Sequence, residues 1–265
     1  MRKMKAGSNS IQVIARLAQL LDAIAAQDEP ASLKTLSAET GLHPSTAFRI
    51  LASLAEQGFI ERTTRGNYQL GIKLMQLGSR VNASVDIRKL ALPLMERLRD
   101  LLGETVNLTV REDDEVVYIE RTLAKRMIRV EQVIGSRAPL HVTAVGKLML
   151  GDQGVAACRS YAKRSKLPAY TANTHTKITA LMQDCITAAT RGYALDNEEA
   201  ELGVGCIGTL VRDASGHVVA GLSVSAPIER RRDEWIAQVI ATGEQLSTLL
   251  GYRTAQRHQA VIQSN

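Results

Sequence analysis

Apolar residues recur at helical spacing in the first quarter of the chain and predict three helices. A stripe running from Ile11 to Ile24 ends at the turn of residues 27–30. A short helix is expected over about 33–40, and a third runs from Pro44 to Gly58. Two β-prone runs at 59–63 and 68–70, joined by a turn over 64–67, predict a hairpin. Helices and hairpin in this order predict a winged helix-turn-helix.

The helix beginning at Pro44 is the predicted recognition helix. Short hydroxyl side chains and an arginine near a helix N-terminus can bind phosphates and base edges in a major groove. The same polar residues could instead only cap helices, and winged helices also dock other proteins. The residues predicted to contact duplex DNA are Ser32, Lys34, His43, Ser45, Thr46, Arg49, Arg62 and Arg65.

The hydrophobic pattern changes after the hairpin. Residues 71–85 are predicted to form a helical linker, and 86–103 a helix. Alternating patterns then predict strands at 106–110, 116–119, 127–133, 140–141, 193–195, 204–211 and 218–224, with helices at 143–150, 177–191 and 232–250. Strands mixed with segregated helices indicate an α+β domain with a largely antiparallel sheet. The predicted domains are therefore 1–70, a linker at 71–85, a second domain at 86–252, and a mobile tail at 253–265.

Composition and charge agree with two domains that have different tasks. The 265 residues are 45% hydrophobic but only 3% aromatic, and no apolar run is long enough to span a membrane. The net charge of +6 is concentrated in residues 1–85, which hold 10 Lys/Arg against 6 Asp/Glu. A basic first domain suggests contact with a polyanion. Three widely spaced cysteines and the lack of a secretory signal suggest a cytoplasmic protein.

Motifs for catalysis, cofactors and metals are weak. Residues 203–208 match GxGxxG, but no helix is expected after them, which argues against a dinucleotide site. Cys206 with His141 as its base would make an enzyme of the acyl-transfer type, which is the alternative function. The acids at 196–201 with His141 or His175 could hold a metal, although a solvated loop is commoner. We therefore expect no enzyme activity, cofactor or metal site.

A small pocket is the better candidate in the second domain. The predicted helix after Thr143 presents the backbone amides of Ala144 and Val145, which suit a carboxylate. Ser223 and Ser225 lie two apart on one strand, so their hydroxyls face the same side. The strand carrying Val204 and Cys206 is expected to pair with it. Polar groups converging in an apolar sheet suggest a site for a small organic acid.

Several motifs together resemble the IclR-type transcriptional regulators over roughly residues 10–250. They are GLHPSTAFRILASL at 41–54, GFI at 58–60, PLHVTAVGK at 139–147, GYALDNEE at 192–199, GVGC at 203–206 and GLSVSAP at 221–227. The resemblance implies a C-terminal GAF-like effector domain that binds small carboxylates.

The same resemblance implies roles for individual residues. The carboxylate would meet Ala144, Val145, Ser223 and Ser225, with Asp196 and Cys206 bordering it. Met127, Val130 and Val204 would set the size and polarity of the pocket. The expected protein is a homodimer, or a dimer of dimers, that binds a DNA operator under the control of a small aliphatic or aromatic carboxylate, as a repressor, an activator or both. It is expected to control a catabolic pathway.

Overall fold

The computed structural model describes residues 12–82 and 86–253, which form two compact units that divide before Asp86. Ile11, residues 83–85 of the predicted linker and residues 254–265 of the predicted tail lie outside the described residues.

The first unit is a three-helix bundle with a two-stranded hairpin and a following helix. Its elements are α1 (Gln12–Ala25), α2 (Leu33–Thr40), α3 (Pro44–Glu56), β1 (Ile60–Arg62), β2 (Tyr68–Leu70) and α4 (Ile72–Asn82). The antiparallel hairpin pairs Ile60 with Leu70. Leu20, Leu36 and Leu51 bring the apolar stripes of α1, α2 and α3 into one buried core. The winged helix-turn-helix expected from the sequence is therefore the architecture of this unit.

The second unit is built on one antiparallel sheet of six strands in the order β5-β4-β3-β8-β7-β6. The strands are β3 (Thr105–Glu112), β4 (Glu115–Thr122), β5 (Arg137–Pro139), β6 (Ala194–Asn197), β7 (Val204–Arg212) and β8 (Val218–Pro227). Its long central hairpin, β7–β8, matches the predicted strands at 204–211 and 218–224. This is the α+β class with an antiparallel sheet that the pattern of the sequence predicts.

Helices cover both faces of the sheet. α5 (Ile87–Leu102) and α9 (Ile236–Leu249) pack on one face, where Leu108, Ile207 and Leu222 form the core. α6 (Ala144–Asp152), α7 (Val155–Ser165) and α8 (Ile178–Arg191) pack with β4 in a second core around Tyr161. Ala144, Leu148, Ala188 and Cys206 form a smaller cluster where α6 meets β6 and β7.

Two expectations were wrong, and one helix was missed. Residues 127–133 form no strand, because β5 takes the place beside β4 and pairs Ala138 with Val116. Residues 140–142 form a 3₁₀ turn instead of a strand. The missed helix is α7, of which only Cys158, Tyr161 and Ala162 are buried, too few apolar positions for a clear stripe.

None of the helices in the described part of the chain combines the length and the hydrophobicity that crossing a bilayer requires.

Candidate functional site

The predicted recognition helix, α3, has one buried face and one polar face in the first unit. Ala47, Leu51 and Leu54 are buried, and Ile50 packs at the margin of the core. Ser45 and Arg49 lie on the exposed side, and Thr46 is half-buried. The exposed side therefore offers hydrogen-bond donors to solvent, as a helix that enters a groove requires.

Three of the predicted DNA-binding residues also order the helix ends. Ser32 Oγ accepts from Thr35 N at 3.1 Å and so caps α2. His43 caps α3: its Nδ1 lies 2.8 Å from Ser45 Oγ and accepts from Ser45 N at 3.4 Å. The capping interpretation of Ser32, His43 and Ser45 thus has direct structural support, whereas their contact with DNA stays a prediction.

The remaining predicted cations are exposed on the same unit. Arg65 lies at the turn of the hairpin, and Lys34 lies at the start of α2. Arg62 packs back on the hairpin, where its Nε donates to Gly66 O at 3.4 Å and its guanidinium lies 5.8 Å from the Tyr68 ring centre. No described carboxylate lies within ion-pair distance of these three side chains or of Arg49. Their charge is therefore not neutralised within the described unit.

Sequence reasoning missed one feature of this surface. Phe48 on α3 is 44% exposed, although it is one of only two phenylalanines in the chain. An exposed aromatic ring beside Arg49 is an apolar group that can contact a thymine methyl. Helical periodicity predicts that Phe48 is exposed, because it comes one residue after the buried Ala47.

A cavity of about 430 Å³ opens in the second unit beside the N-terminus of α6. Its walls come from β6, β7, β8, the start of α6 and the loop that contains residues 129–132. Seven of the nine predicted effector-binding residues line it: Val130, Ala144, Val145, Asp196, Val204, Cys206 and Ser223. These seven residues lie on five parts of the chain, the loop, α6, β6, β7 and β8, which therefore meet at one site.

Two glycines allow α6 to begin directly on the sheet. A Cβ added to Gly208 would lie 3.1 Å from Val145 N, and one added to Gly221 would lie 2.7 Å from Val145 Cβ. Thr143 caps the helix, because its Oγ1 accepts from Gly146 N at 3.1 Å. Ala144 and Val145, whose amides are the first two of the helix, line the cavity. A helix N-terminus with unused amides attracts an anion.

Two predicted residues do not line the cavity. Ser225 lies behind it: its Oγ accepts from Asn107 Nδ2 at 3.1 Å and lies 3.2 Å from Cys206 Sγ. Met127 is 100% exposed, because residues 123–136 form a loop whose outer part carries this side chain away from the sheet. Ser223 does line the cavity, and its hydroxyl makes no hydrogen bond to another described group.

The environment of Cys206 is wrong for a nucleophile. Burial raises the pKa of its thiol, which keeps the sulfur protonated. The proposed base is occupied elsewhere: His141 Nδ1 lies 2.8 Å from Tyr161 Oη, and its Nε2 donates to Pro168 O at 3.1 Å. Burial also lowers the pKa of His141. The structure therefore contains no Cys206–His141 pair, and the acyl-transfer alternative fails.

Asp196 is the ionisable group most deeply placed in the cavity wall. It is 2% exposed, and its Oδ1 accepts from Glu199 N at 2.8 Å. Burial raises its pKa to about 6, and the neighbouring Glu199 charge acts in the same direction. This carboxyl group can change its protonation state near neutral pH.

A buried lysine next to the cavity was missed by sequence reasoning. Lys147 lies one turn into α6, and its Nζ donates to Glu199 Oε1 at 2.5 Å and to Asp184 Oδ2 at 2.7 Å. Burial would lower the pKa of Lys147, but the Glu199 and Asp184 charges outweigh burial and raise it. This ion pair ties α6 to α8 and to the segment after β6. The sign of this ion pair in the sequence is a single lysine within residues 144–150, which are otherwise apolar or small.

The same charges define the one group of possible metal ligands found among the described residues. His175, Asp184 and Glu199 bring ligand atoms within 4.8 Å of one another. Lys147 Nζ already contacts both carboxylates, so an ammonium group lies where a cation would bind. Asp184 also accepts from His175 Nε2 at 3.3 Å, and this bond raises the pKa of His175. These three side chains therefore already belong to an ion-pair network with Lys147.

Family models match most of the chain. The model described as the IclR helix-turn-helix domain matches residues 13–64, and that of the bacterial transcriptional regulator IclR C-terminal domain matches residues 79–248. The curated protein "HTH-type transcriptional regulator XynR" of Escherichia coli is 33% identical over 247 residues, covering 91% of this chain and 98% of that protein.

Solved structures resemble the chain over nearly its whole length. The crystal structure of the Agobacterium tumefaciens repressor BlcR is 29% identical, with a TM-score of 0.75, and covers 93% of this chain and 100% of that one. An IclR homologue from Microbacterium hydrocarbonoxydans, solved with 4-hydroxybenzoate, is 24% identical, with a TM-score of 0.59, and covers 90% of this chain and 98% of that one.

Proposed function

The chain belongs to the IclR family of bacterial transcriptional regulators, and from this premise we propose how its two units divide the work. The protein is a DNA-binding transcriptional regulator, of a family that regulates transcription rather than catalysing a reaction. The first unit binds an operator through α3 and the hairpin. The second unit binds a small carboxylate in the cavity beside α6.

The observation that carries the carboxylate proposal is the N-terminus of α6 at the cavity wall. Ala144, Val145 and Ser223 line one cavity, and we propose that the two backbone amides and the Ser223 hydroxyl face the ligand. Together they offer three donors to a carboxylate, while Val130 and Val204 supply apolar walls. Because these donors lie on a helix packed against a sheet, they are already oriented before the ligand arrives.

Thermal shift on the full chain tests this site with acetate, pentanoate and benzoate. A ligand that binds only the folded state raises Tm, so at least one acid should raise it. The homologue solved with 4-hydroxybenzoate is the reason to include an aromatic acid. Ser223→Ala should weaken binding about tenfold, since one hydrogen bond to a charged group is worth about 1.5 kcal/mol or more.

Ser215→Ala is the matched control for that experiment. Ser215 lies in the exposed turn between β7 and β8, outside the residues that line the cavity. It loses the same hydroxyl group and should keep the response of the wild-type protein. An equal response in Ser223→Ala and Ser215→Ala would remove Ser223 from the binding site.

On the DNA side, we propose that Arg49, Ser45 and Thr46 face the major groove. Lys34, Arg62 and Arg65 then lie against phosphates, with Ser32 and His43 ordering the helix ends. The support is an exposed set of cations with no described carboxylate in ion-pair distance. Binding to duplex DNA should weaken steeply with salt, because each neutralised phosphate releases counterions.

A homodimer would place two recognition helices on neighbouring half-sites of the operator. We propose that α1 and α4 form its interface, because both expose large apolar side chains: Val13, Ile14, Ile72, Met75 and Leu77.

Met75 is 67% exposed. Met75→Glu should shift sedimentation towards the monomer, whereas Leu101→Glu in the second unit, also 67% exposed, should not. A dimer that survives Met75→Glu would contradict this interface; a wild-type tetramer would support further pairing through the second units.

A further inference from the structure

Helix α7 carries an excess of positive charge, although the part of the chain that contains it has no net charge. Residues 86–250 hold 21 Lys/Arg and 21 Asp/Glu, yet residues 153–183 hold five Lys/Arg and no Asp/Glu. Four of these five cations lie on α7 or at its C-cap: Arg159, Lys163, Arg164 and Lys166. Positive charge is therefore concentrated on one helix of the second unit.

Three of these cations, Arg159, Lys163 and Lys166, form what we call the basic row. They are separated by four and three residues, so they lie on the same side of the helix. All three are exposed. At a rise of 1.5 Å per residue, the basic row extends over about 10 Å of the helix. It therefore presents a short line of positive charge to solvent.

The basic row has no counter-charge within the described residues. No described carboxylate lies within ion-pair distance of its three side chains. Arg164, which lies outside the row, does pair, with Asp114 at 2.6 Å.

This arrangement has a cost for the helix. Like charges four residues apart destabilise a helix, as Arg159 and Lys163 are. The helix dipole offsets part of this for Lys163 and Lys166, which lie at the C-terminal end, but Arg159 lies in the middle of α7. An external anion that binds the basic row would therefore relieve a repulsion that the protein itself leaves in place.

The chemistry of the basic row fits a phosphate backbone better than a protein surface. Protein–protein interfaces have an apolar centre, but of the large apolar side chains of α7, all of which the structure describes, only that of Val155 is exposed. Protein–DNA interfaces are more polar and much more positively charged. Each strand of a duplex carries one phosphate per about 3.4 Å of axis, so a line of about 10 Å can meet several of them.

We propose that the basic row of α7 binds the phosphate backbone of the duplex that flanks the operator, as a second and sequence-independent DNA contact of this chain. The inference rests on the proposed operator binding by the first unit. Because the first unit holds the same DNA molecule, the flanking duplex is present at a high effective concentration. A contact that is too weak to hold free DNA therefore still adds to the affinity for a long operator fragment.

Fluorescence anisotropy with the full chain and two duplexes tests the inference. Both duplexes contain an operator selected from random DNA; one ends at the operator, and the other continues for about 20 base pairs, two helical turns, on each side. The wild type should bind the long duplex at least about tenfold more tightly than the short one. When Arg159→Gln, Lys163→Gln and Lys166→Gln are combined, this ratio should fall to about twofold or less, with unchanged affinity for the short duplex.

The salt dependence gives a second measurement on the same proteins. Each phosphate contact contributes about 0.9 to the slope of log affinity against log salt concentration. For the long duplex, the triple α7 variant should therefore lose about 2–3 from this slope for each basic row in contact with DNA. For the short duplex, the slope should stay at the wild-type value.

The matched control combines Lys89→Gln, Arg97→Gln and Lys125→Gln. These three cations are exposed on other parts of the second unit, so the control removes the same charge from the same unit. It should keep the wild-type preference for the long duplex. Because longer DNA also offers more non-specific sites, the difference between the two triple variants measures the contribution of the basic row.

The outcomes separate this inference from operator binding itself. Equal ratios of long-duplex to short-duplex affinity in the two triple variants would overturn the inference and leave operator binding standing. Wild-type protein that fails to bind the short duplex would contradict operator binding, on which the inference rests. If the α7 variant keeps its ratio but unfolds more easily, the row serves the helix dipole alone; if it keeps its ratio but controls RNA polymerase less well, the row binds an acidic protein. Either result would also overturn the inference.

Discussion

The two units handle polar groups in opposite ways. In the first unit, Lys34, Arg49 and Arg65 lie exposed without a described carboxylate partner, and the core beneath them is apolar. In the second unit, Lys147 and Glu199 lie buried against each other beside a cavity. Exposed charge is free to meet phosphate, whereas buried charge must be compensated inside the protein.

Because of this difference, we expect mutations of the two kinds of charge to affect different properties: DNA binding in the first unit and folding stability in the second. Removing an exposed cation from the first unit should change affinity for DNA and little else. Removing a buried charge from the second unit should lower the free energy of unfolding. Any change in ligand binding should follow from that loss of stability.

Lys147→Met should give the largest effect, because it leaves Glu199 and Asp184 buried or half-buried without their cation. Loss of one partner of a buried pair costs about 3–5 kcal/mol. The measurement is the free energy of unfolding of the second unit in urea. Lys125→Met is the control, since Lys125 pairs with Asp100 at 2.9 Å but is 74% exposed. It should cost about 1 kcal/mol or less; equal costs would contradict the comparison.

Asp196→Asn should change how stability depends on pH. Burial raises the pKa of Asp196 to about 6 in the folded state, above the value of about 3.9 in an unfolded chain. A raised pKa means that Asp196 contributes stability below about pH 4 and loses it as the pH rises through 6. The stability of the wild type relative to Asp196→Asn should therefore fall by about 2–3 kcal/mol between pH 4 and pH 7.

Unfolding of both proteins at several pH values checks this, and Glu201→Gln is the control. Glu201 lines the same cavity but is exposed, so its removal changes the charge by the same amount without removing a buried carboxyl. If the difference in the free energy of unfolding between wild type and Asp196→Asn stays constant over this pH range, the pKa of Asp196 is not raised by burial.

Arg49→Ala should weaken operator binding by about 1–3 kcal/mol without a comparable loss of stability. Fluorescence anisotropy on a duplex selected from random DNA measures the first quantity, and urea unfolding measures the second. Arg97→Ala, which removes an exposed charge from α5, should leave operator affinity unchanged. If Arg49→Ala and Arg97→Ala behave alike, Arg49 does not contact DNA.

The sequence predicted the first unit more completely than the second, for a physical reason. Caps, helical stripes and the hairpin turn are local, so Ser32, Pro44 and Arg65 could be placed from their neighbours alone. The cavity instead joins strands that are distant in sequence. Ser223 and Ser225 share a face by simple alternation, yet only the packing of α6 over Gly208 and Gly221 decides which of them lines the cavity.

Loops and buried charge were the least predictable features. The apolar residues at 127–133 resemble a strand, but β5 (Arg137–Pro139) is the segment that pairs with β4, and residues 127–133 lie in the loop before it. Lys147 stood in a predicted apolar helix, and its partners Asp184 and Glu199 are 37 and 52 residues away. Side-chain pairs at such separations carry no periodic signal, so only the fold brings them together.

One titration tests most directly whether different residues bind the operator and bind the acid. Operator affinity is measured for wild type, Arg49→Ala and Ser223→Ala, with and without whichever of acetate, pentanoate and benzoate raises Tm the most. We expect the acid to change wild-type affinity at least about fivefold. At the same acid concentration, near the wild-type Kd, Ser223→Ala should bind the operator normally but respond much less, and Arg49→Ala should bind the acid normally but the operator poorly. An acid that leaves wild-type affinity unchanged, or a Ser223→Ala protein that responds fully, would contradict it.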